Sequence, residues 1–315
     1  MSVRSQGSSP SIPASSRSAP RGELVPVPQL SPSELDAVAL LEEACRAHDG
    51  GRLKLEWHSL RSRPSGTTSD FLWVDGEDVI GFVGLYQWRP IELELCGMVD
   101  PRWRRQGIGD RLYDAAAAEV ARRGPARALL IVDRALEAGR RFALSRRGEL
   151  DHSEHRMQQR REPELRRGLP PVRTRPATSA DADFVVSCLA SAFDDEPSTY
   201  EPGDEEAVRG LVSATTIIVE AATAAPVGMM RVERDGGAAS IYGFAVIPER
   251  QGRGYGRAAL SMVTRDLHRS GVGVVSLEVL STNDSALHLY ETCGFDAIGT
   301  EDYYSMPIES MPHVS

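Results

Sequence analysis

One pattern occurs twice in the sequence, about half a chain length apart. The segment "DPRWRRQGIGDRL" begins at Asp100, and "PERQGRGYGRAAL" begins at Pro248. Matched residues keep a constant separation of 147: Val99 and Val246, Pro101 and Pro248, Arg104 and Gln251, Gly107 and Gly254, and Gly109 and Gly256. Gly148 and Gly294 lie 146 residues apart. A register shared over this length predicts an internal duplication, so this chain of 315 residues should hold two similar domains.

The patterns around the repeat predict the same order of elements in both halves. The first half reads as a capped helix, a hairpin around Asp75-Gly76, a strand, a helix, a buried strand and a short helix, over 31–49, 70–88, 91–99, 110–124, 128–132 and 137–148. The second half repeats this order over 179–193, 216–232, 238–247, 257–271, 274–280 and 283–294. We therefore expect two domains of one architecture.

Composition sets the predicted boundaries of these domains. Residues 1–22 are rich in Ser and Pro and should form a disordered tail. The first domain then covers 23–160, a charged linker with several prolines covers 161–172, the second domain covers 173–309, and 310–315 form a short tail.

Charge and cysteine spacing exclude several classes of protein. The net charge of −9 argues against general nucleic-acid binding, which needs surplus cations. No apolar run is long enough to cross a bilayer, and the N-terminus lacks the apolar centre of a secretory signal, so we expect a cytoplasmic protein without a membrane partner. The four cysteines lack the spacing of a metal site, so we expect free thiols and no metal: Cys45, Cys96, Cys188 and Cys293. Lys54 is the only lysine among 36 Lys and Arg residues, a bias that we attribute to genome composition.

Glycines at the start of a helix favour a bound phosphate. A helix N-terminus offers free backbone N–H groups and the positive end of the helix dipole, and glycines let an anion approach that backbone. A turn that only connects a strand to a helix is the plain alternative, which the second copy and the adjacent Arg104, Arg105, Arg253 and Arg257 disfavour. Neither copy has the Lys-Ser/Thr pair of a nucleotide P-loop. A dinucleotide fold is disfavoured because the first copy has Leu112 where that fingerprint needs a small residue.

Both copies resemble the acetyl-CoA pyrophosphate loop of the GCN5-related N-acetyltransferase (GNAT) superfamily, which has the pattern Q/R-x-x-G-x-G/A. The pattern stands here as Gln251 to Gly256 and as Arg104 to Gly109. Its context resembles the family as well, in "YGFAVIPERQGRGYGRAAL" and the later "LEVLSTNDSALHLYETCGF". The resemblance covers residues 30 to 308. It implies an α+β fold, with a mixed and mostly antiparallel sheet flanked by helices, in two tandem GNAT domains.

The resemblance also implies where acetyl-CoA would bind. The sheet of this family splays open between its fourth and fifth strands, and the pantetheine arm lies along the fourth strand. A bulge near Ala245 or Val246 would aim a backbone N–H at the thioester carbonyl. Residues expected to bind the cofactor in the second half are Phe244, Ala245, Val246, Gln251, Gly252, Arg253, Gly254, Tyr255, Gly256, Arg257 and Asn283. Those expected in the first half are Val99, Arg104, Arg105, Gln106, Gly107, Ile108 and Gly109.

Acetyl transfer to an amine needs two proton movements. An ammonium group must lose a proton before it attacks, and the departing thiolate benefits from gaining one. The resemblance places Tyr290 at the general-acid position of the family. Glu278, twelve residues earlier, is spaced like the proposed base of the ribosomal-protein alanine N-acetyltransferases. The plain alternatives are core packing for Tyr290 and a solvated strand charge for Glu278, and Tyr242 is the substitute candidate for the base.

The first half lacks both proton carriers. At a separation of 146, Tyr290 corresponds to Leu144 and Glu278 to Val132. The resemblance to tandem acetyltransferases then implies a first domain that binds acetyl-CoA without turning it over. Glu94, in "ELCGMV", leaves a residual or different activity open, although we interpret it as a surface charge. The predicted function is transfer of acetyl from acetyl-CoA to a primary amine of a small molecule or peptide, with the chemistry in the second domain. The alternative is a tandem module that binds or senses acetyl-CoA without catalysis.

The sequence leaves the amine acceptor open. In this family the loops corresponding to 191–210 and 302–306 would select it, and their acidic and tyrosyl residues suit a cationic amine. Mycothiol synthases, a tandem branch of the family, carry a strand glutamate in the vicinity of Ser240 or Ile241, and its absence here disfavours their acceptor. Two fused copies are consistent with a monomer or a homodimer.

Overall fold

The helices and strands follow the repeat in the sequence. The computed structural model describes residues 21–64, 66–89, 91–164, 166–193 and 210–307. The first half contains β1 (Glu23–Val27), α1 (Pro32–Asp49), α2 (Trp57–Arg61), β2 (Asp70–Asp75), β3 (Asp78–Arg89), β4 (Glu92–Val99), α3 (Ile108–Arg123), β5 (Arg127–Asp133), α4 (Glu137–Ser145) and β6 (Glu149–Gln159). The second half contains β7 (Val172–Pro176), α5 (Ala182–Phe193), β8 (Thr215–Glu220), β9 (Pro226–Asp235), β10 (Ala238–Val246), α6 (Tyr255–Arg269), β11 (Val274–Leu280), α7 (Asp284–Thr292) and β12 (Asp296–Ser305).

These twelve strands form one sheet, in the order β1-β2-β3-β4-β5-β12-β6-β11-β10-β9-β8-β7. β4 pairs with β5 in parallel, and β10 pairs with β11 in parallel. The other neighbours in the described sheet are antiparallel. The predicted α+β class, with a mixed and mostly antiparallel sheet flanked by helices, is confirmed.

The last strand of each half is exchanged with the other half. β6 pairs with β11 of the second half, and β12 pairs with β5 of the first half. The two exchanged strands also pair with each other at the centre of the sheet. Each half therefore completes its sheet with a strand from the other, and the two halves share one continuous backbone ladder.

Helices cover both faces of the sheet, because successive strand residues point to opposite sides. In β2, Phe71 and Trp73 pack in the core that contains α3, whereas Leu72 packs with α1. In β8, Ile218 packs with α6 and Ile217 packs with α5. Strands buried on both faces read as continuous apolar runs, which accounts for "FLWV" and "TIIV" in the sequence.

Local chemistry explains the helix ends. Ser31 caps α1, since its Oγ accepts from the Glu34 amide at 3.3 Å while the Glu34 carboxylate accepts from the Ser31 amide at 2.7 Å. This reciprocal arrangement is a capping box, and of the two candidate caps it selects Ser31 over Ser33. Gly50 and Gly124 end α1 and α3 in the left-handed conformation, with φ of 78° and 62°.

Several elements lie in segments where the sequence predicted none: β1, α2, β6, β7 and β12. The interpretation of 302–306 as an acceptor-selecting loop is wrong, since Asp302, Tyr303 and Tyr304 are buried in β12. The strand exchange is the physical reason, because it places β12 in the middle of the sheet. Most of the predicted loop over 191–210, the tail over 1–20 and the tail over 310–315 lie outside the described residues. Within the described part of the chain, no helix has the length and apolar character needed to cross a bilayer.

Candidate active site

Each glycine segment leads into the N-terminus of a helix. Gly254 precedes α6 and Gly107 precedes α3, with φ of 85° and 87°, and no described side chain caps either helix. Two positions earlier, Gly252 and Arg105 also have positive φ, 69° and 65°. Such values suit glycine, whereas a residue with a side chain adopts them at a cost. Both loops therefore present the first amides of a helix, the arrangement that binds phosphate.

The same hydrogen bond fixes both loops to the preceding strand. Gln251 Nε2 donates to the Val246 carbonyl at 2.9 Å, and Arg104 Nε donates to the Val99 carbonyl at 2.9 Å. In the first half, the Arg104 guanidinium also donates to both carboxylate oxygens of Asp49, at 2.8 and 2.6 Å. Gln251 and Arg104 thus shape the loops, and Asp49 already neutralises the charge of Arg104.

The remaining loop residues divide between the cores and the surface. The side chains of Tyr255 and Ile108 are buried in the cores of their halves, so these residues offer only backbone groups to a ligand. Arg257 Nη1 donates to the Thr292 carbonyl at 3.4 Å. Gln251 is exposed, and the exposed side chains among the remaining loop residues are those of Arg105, Gln106 and Arg253. Backbone amides, with one or two exposed cations, are therefore what each loop offers an anion.

The sheet opens beside the loop in the second half. β10 and β11 pair only as far as Ile241 and Leu277, whereas β10 runs on for five more residues. Between Tyr242 and Ala245, the pairing of β10 with β9 shifts by one residue, and Gly243 there has a φ of 54°. The shift is a β-bulge, which leaves a residue unpaired and re-aims its backbone. A splay and a bulge therefore occur on the strand where the resemblance predicts them.

The first half opens at the same place without a bulge. β4 and β5 pair only as far as Leu95 and Leu130, but β3 and β4 stay in register along β4 from Glu94 to Val99. β10 therefore has one residue more than β4. Upstream of the bulge, matched residues lie 146 apart, so Glu94 corresponds to Ser240.

The two splays also differ in exposure. Residues 242–246 in the second half are all half-buried, so this edge of β10 reaches solvent. In the first half, Gly97 is exposed and Val99 is half-buried, but Cys96 is 1% exposed and Met98 is 7% exposed. The connection between α1 and α2 crosses the end of β5, where Asp133 Oδ2 accepts from the Arg52 amide at 3.0 Å. The more accessible cleft thus belongs to the second half.

Tyr290, on α7, lies beside the bulge. Its ring centroid is 6.4 Å from that of Phe244 and 6.1 Å from that of Phe295, and the residue is 8% exposed. Burial raises the pKa of Tyr290 to about 12, so its hydroxyl keeps its proton at neutral pH. Tyr290 is thus a core residue whose protonated hydroxyl can act as a proton donor next to the cleft.

The predicted match of Tyr290 with Leu144 is wrong, because α4 and α7 begin and end 147 residues apart, so Ala143, which is 0% exposed, occupies this position in the first half. The strand pairing likewise matches Glu278 with Ile131 and not with Val132.

Glu278, on β11, contacts cations from the first half. Its carboxylate lies 2.8 Å from Lys54 Nζ and 3.4 Å from Arg52 Nη1, and its side chain is 22% exposed to solvent. Burial alone would raise the pKa of Glu278, but Lys54 and Arg52 together lower it below its ordinary value. Glu278 is therefore an ion-paired carboxylate rather than a solvated strand charge, and it is a weaker base than an isolated glutamate.

Lys54 and Arg52 belong to a charged group of residues that draws on both halves. Tyr303 OH contacts Lys54 and donates to Glu154 Oε2 at 2.6 Å. Glu301 accepts from Arg52 and Arg156 at 3.2 and 2.7 Å. We call this group the interdomain cluster: Arg52, Lys54, Glu94, Glu154, Arg156, Glu278, Glu301 and Tyr303. From the sequence, only Glu278 and Glu94 were singled out as candidates, and Tyr303 only as part of the segment 302–306. The only signal for Lys54 was that the chain has no other lysine.

Glu94 is not the surface charge that we expected. It is 9% exposed, and its Oε2 has no hydrogen-bond partner among the described residues. Burial raises the pKa of Glu94 to about 8, although Lys54 acts in the opposite direction. The expectation failed because the segment that carries Lys54 lies over this part of the sheet, a contact that no local pattern reveals.

Two other candidates have defined surroundings. Asn283 is exposed and caps α7, with its Oδ1 accepting from the Ala286 amide at 3.0 Å. Burial raises the pKa of Tyr242 to about 12, so Tyr242 is protonated at neutral pH and is poorly suited to act as a base. The helix-capping role of Asn283 accounts for that residue without a ligand.

Comparison with known proteins decides the family. The sequence profile of the acetyltransferase (GNAT) family matches residues 36–148 and, a second time, residues 185–295. The chain belongs to this family. The two matches confirm the predicted tandem arrangement and the predicted enzyme class, an acetyl-CoA-dependent N-acetyltransferase.

Relatives and solved structures extend the likeness over the whole chain. The mycothiol acetyltransferase of Propionibacterium freudenreichii is 28% identical over 309 residues, which cover 89% of this chain and 91% of the relative. A GCN5-related N-acetyltransferase from Sphaerobacter thermophilus has a TM-score of 0.68 at 18% identity, over 93% of this chain and 97% of the other. A tandem GNAT protein from the clavulanic acid biosynthesis pathway has a TM-score of 0.65 at 17% identity, over 91% and 98%. The two structures show that the tandem fold is shared.

Proposed function

We propose that the second half transfers the acetyl group of acetyl-CoA to a primary amine and that the first half does not catalyse. The open splay between β10 and β11 carries the proposal. It combines a bulge at Gly243, an uncapped helix N-terminus after Gly254 and a protonated Tyr290 beside the bulge. The first half has no bulge on β4 and has Ala143 in place of the tyrosine.

The residues of the second half fit the donor. The amides that follow Gly254 would hold its pyrophosphate, with the exposed Arg253 as a nearby cation. The free edge of β10, from Tyr242 to Val246, would pair with the pantetheine arm. A backbone N–H that the bulge leaves unpaired would donate to the thioester oxygen and stabilise the negative charge that develops on it. When bound, acetyl-CoA supplies the activated acetyl group, and the chain supplies its binding and the proton movements.

Tyr290 and Glu278 divide the proton movements. Tyr290 keeps its proton at neutral pH and would donate it to the departing thiolate. Glu278 is charged and partly exposed, so it would attract the acceptor ammonium and accept its proton through water. Because its pKa is lowered, Glu278 contributes more by charge than by basicity.

The acceptor that we propose is a primary amine on a small molecule. A relative aligned over nearly its whole length is named for acetylation of a small molecule, which favours this class over a peptide. This chain has Ser240 in the vicinity where the resemblance places the strand glutamate of the mycothiol enzymes. The strand register matches Ser240 with Glu94, so a carboxylate at this strand position is present in the first half and not in the second. The acceptor of the mycothiol acetyltransferases is therefore one candidate among several amines.

The test is thiol release from acetyl-CoA, measured with the full chain against a library of primary amines that includes the mycothiol acetyltransferase acceptor. We expect release that depends on one class of amine and saturates with it. Saturable binding of acetyl-CoA without release for any amine would instead support the alternative, a binding or sensing module.

Paired substitutions at Gly256 and Gly109 test where coenzyme A binds. A Cβ at Gly256 would lie 3.4 Å from Leu289, and a Cβ at Gly109 would lie 3.6 Å from Phe142, both ordinary contacts. Gly256→Glu puts a carboxylate at the helix N-terminus, so we expect the Kd of the second half for coenzyme A to rise at least about tenfold. Isothermal titration calorimetry measures the effect.

Gly109→Glu is the matched variant in the first half. If both halves bind coenzyme A, calorimetry of the wild-type chain should show two binding events. Gly256→Glu should then lose the event of the second half, and Gly109→Glu should lose that of the first. Binding and turnover of wild-type strength in Gly256→Glu would contradict the proposed location of the pyrophosphate.

A further inference from the structure

The segment from the end of α1 through α2 of the first half docks on the second half beside the cleft. Lys54 Nζ lies 2.8 Å from Glu278 Oε2 on β11. Farther along, Arg61 Nη1 lies 3.3 Å from Asp235 Oδ2 at the end of β9. The segment therefore follows the same face of the sheet that carries the Glu278 side chain.

Lys54 is the more buried of the two cations that contact Glu278. Its side chain is 7% exposed, whereas that of Arg52 is 36% exposed. Besides Glu278, its ammonium contacts the Tyr303 hydroxyl and lies 3.8 Å from Glu154 Oε2. An ammonium is a compact point charge, whereas a guanidinium is broad and planar. The single lysine among the 36 Lys and Arg side chains thus lies where one ammonium contacts oxygens of several residues: Glu278, Tyr303 and Glu154.

Glu278 stands where the cleft begins. It follows Leu277, the last residue of β11 that pairs with β10. The Glu278 side chain is 22% exposed, so a ligand can reach its carboxylate while Lys54 of the first half is paired with it. A charge fixed at this point attracts an ammonium more strongly than one that moves or is protonated.

We propose that Lys54 is a positioning residue for the reaction of the second half: it fixes the Glu278 carboxylate at the mouth of the cleft and keeps it charged for the acceptor amine. This inference rests on the proposed function. One half of the chain thereby completes the active site of the other, without contributing a group that touches the acetyl donor.

Charged and titratable groups face Glu278 from every surrounding element. They are Arg52, Lys54 and Glu56 from the α1–α2 connection, Glu154 and Arg156 from β6, Glu301 and Tyr303 from β12, Tyr242 from β10, and Glu94 from β4. The carboxylates favour the protonated form of Glu278, and the cations favour the charged form. Since Lys54 is the nearest cation, its removal raises the pKa of Glu278. The charge is then lost at a higher pH, so the acidic limb of a rate profile moves upward.

Lys54→Met tests the proposal in the full chain, with the best acceptor from the amine library. We expect the acidic limb of kcat/KM to move up by about one pH unit, which lowers kcat/KM about tenfold on the acidic side. Lys54→Arg keeps the charge and should move the limb less. Arg61→Met is the matched control, because it removes an ion pair between the halves from the same segment, and it should leave the profile unchanged.

The Glu278→Gln background separates positioning from other roles. A glutamine does not titrate, so adding Lys54→Met there should change kcat/KM little. A further tenfold loss in the double variant would overturn the proposal, and so would an unshifted limb in a folded Lys54→Met variant. If Lys54→Met alone does not fold, the double variant decides, since it leaves neither partner of the pair charged.

Failure of the proposed function has a different signature, because the wild-type chain would then release no thiol with any amine. A carbon NMR titration of the Glu278 carboxyl still decides on Lys54 in that case. A midpoint that rises by about one pH unit in Lys54→Met supports the inference, and an unchanged midpoint overturns it.

Discussion

Replacing Tyr290 by phenylalanine should lower acetyl transfer by about 100- to 1,000-fold, since general-acid catalysis contributes on this scale. The substitution removes only the hydroxyl, and the ring keeps its packing against Phe244 and Phe295. The pKa of Tyr290, raised to about 12 by burial, makes the hydroxyl a proton donor across the neutral range. Without it the thiolate departs unprotonated, so the loss should appear in kcat while the Kd for acetyl-CoA stays the same. Steady-state kinetics and calorimetry separate the two quantities.

Tyr113→Phe is the matched control for this experiment. Tyr113 is also 8% exposed, and its ring packs edge-on against Phe142 in the first half, with centroids 5.9 Å apart. Its substitution should leave turnover unchanged. Wild-type turnover of a true acceptor by Tyr290→Phe would remove Tyr290 from the mechanism and leave core packing as its role.

Separate halves should lose cooperative folding altogether. A fragment that ends at residue 160 keeps β6 without either of its partners, β11 and β12, and exposes the edge of β5 that β12 covers. Unpaired edges expose backbone polar groups, and they would also uncover side chains such as Met157, which is 1% exposed in the intact chain. We expect fragments 1–160 and 161–315 to aggregate alone and to form a folded complex only when produced together. Circular dichroism on heating and size-exclusion chromatography measure both outcomes.

Cleavage of the intact chain between the halves is the control. A protease site inserted between Arg166 and Arg167, both exposed, leaves the two exchanged strands in place. The cut protein should remain assembled and unfold in one transition. Cooperative unfolding of fragment 1–160 by itself would contradict the prediction, because it would mean that β6 can replace β12 beside β5.

The two glycine loops and most of the helices and strands were predictable because their signals are local. Left-handed glycines, as at Gly254, and capping residues, as at Ser31, act within a few positions of the chain. Tyr290 could be placed from the family pattern, and the structure adds its contact with the bulge residue Phe244. The absence of a bulge in β4 was not foreseen, because it depends on the register between two strands and not on either strand alone.

Local patterns alone established the duplication and the two glycine loops before helices, since repeat spacing and helix starts are properties of neighbouring residues, and the family resemblance added the α+β class. Contacts between distant segments established the exchange of β6 and β12, the burial of Glu94 and the pairing of Lys54 with Glu278. Residues 54 and 278 lie more than two hundred positions apart. Whether a carboxylate is solvated, buried or ion-paired depends on which distant groups surround it, and folding alone brings those groups together.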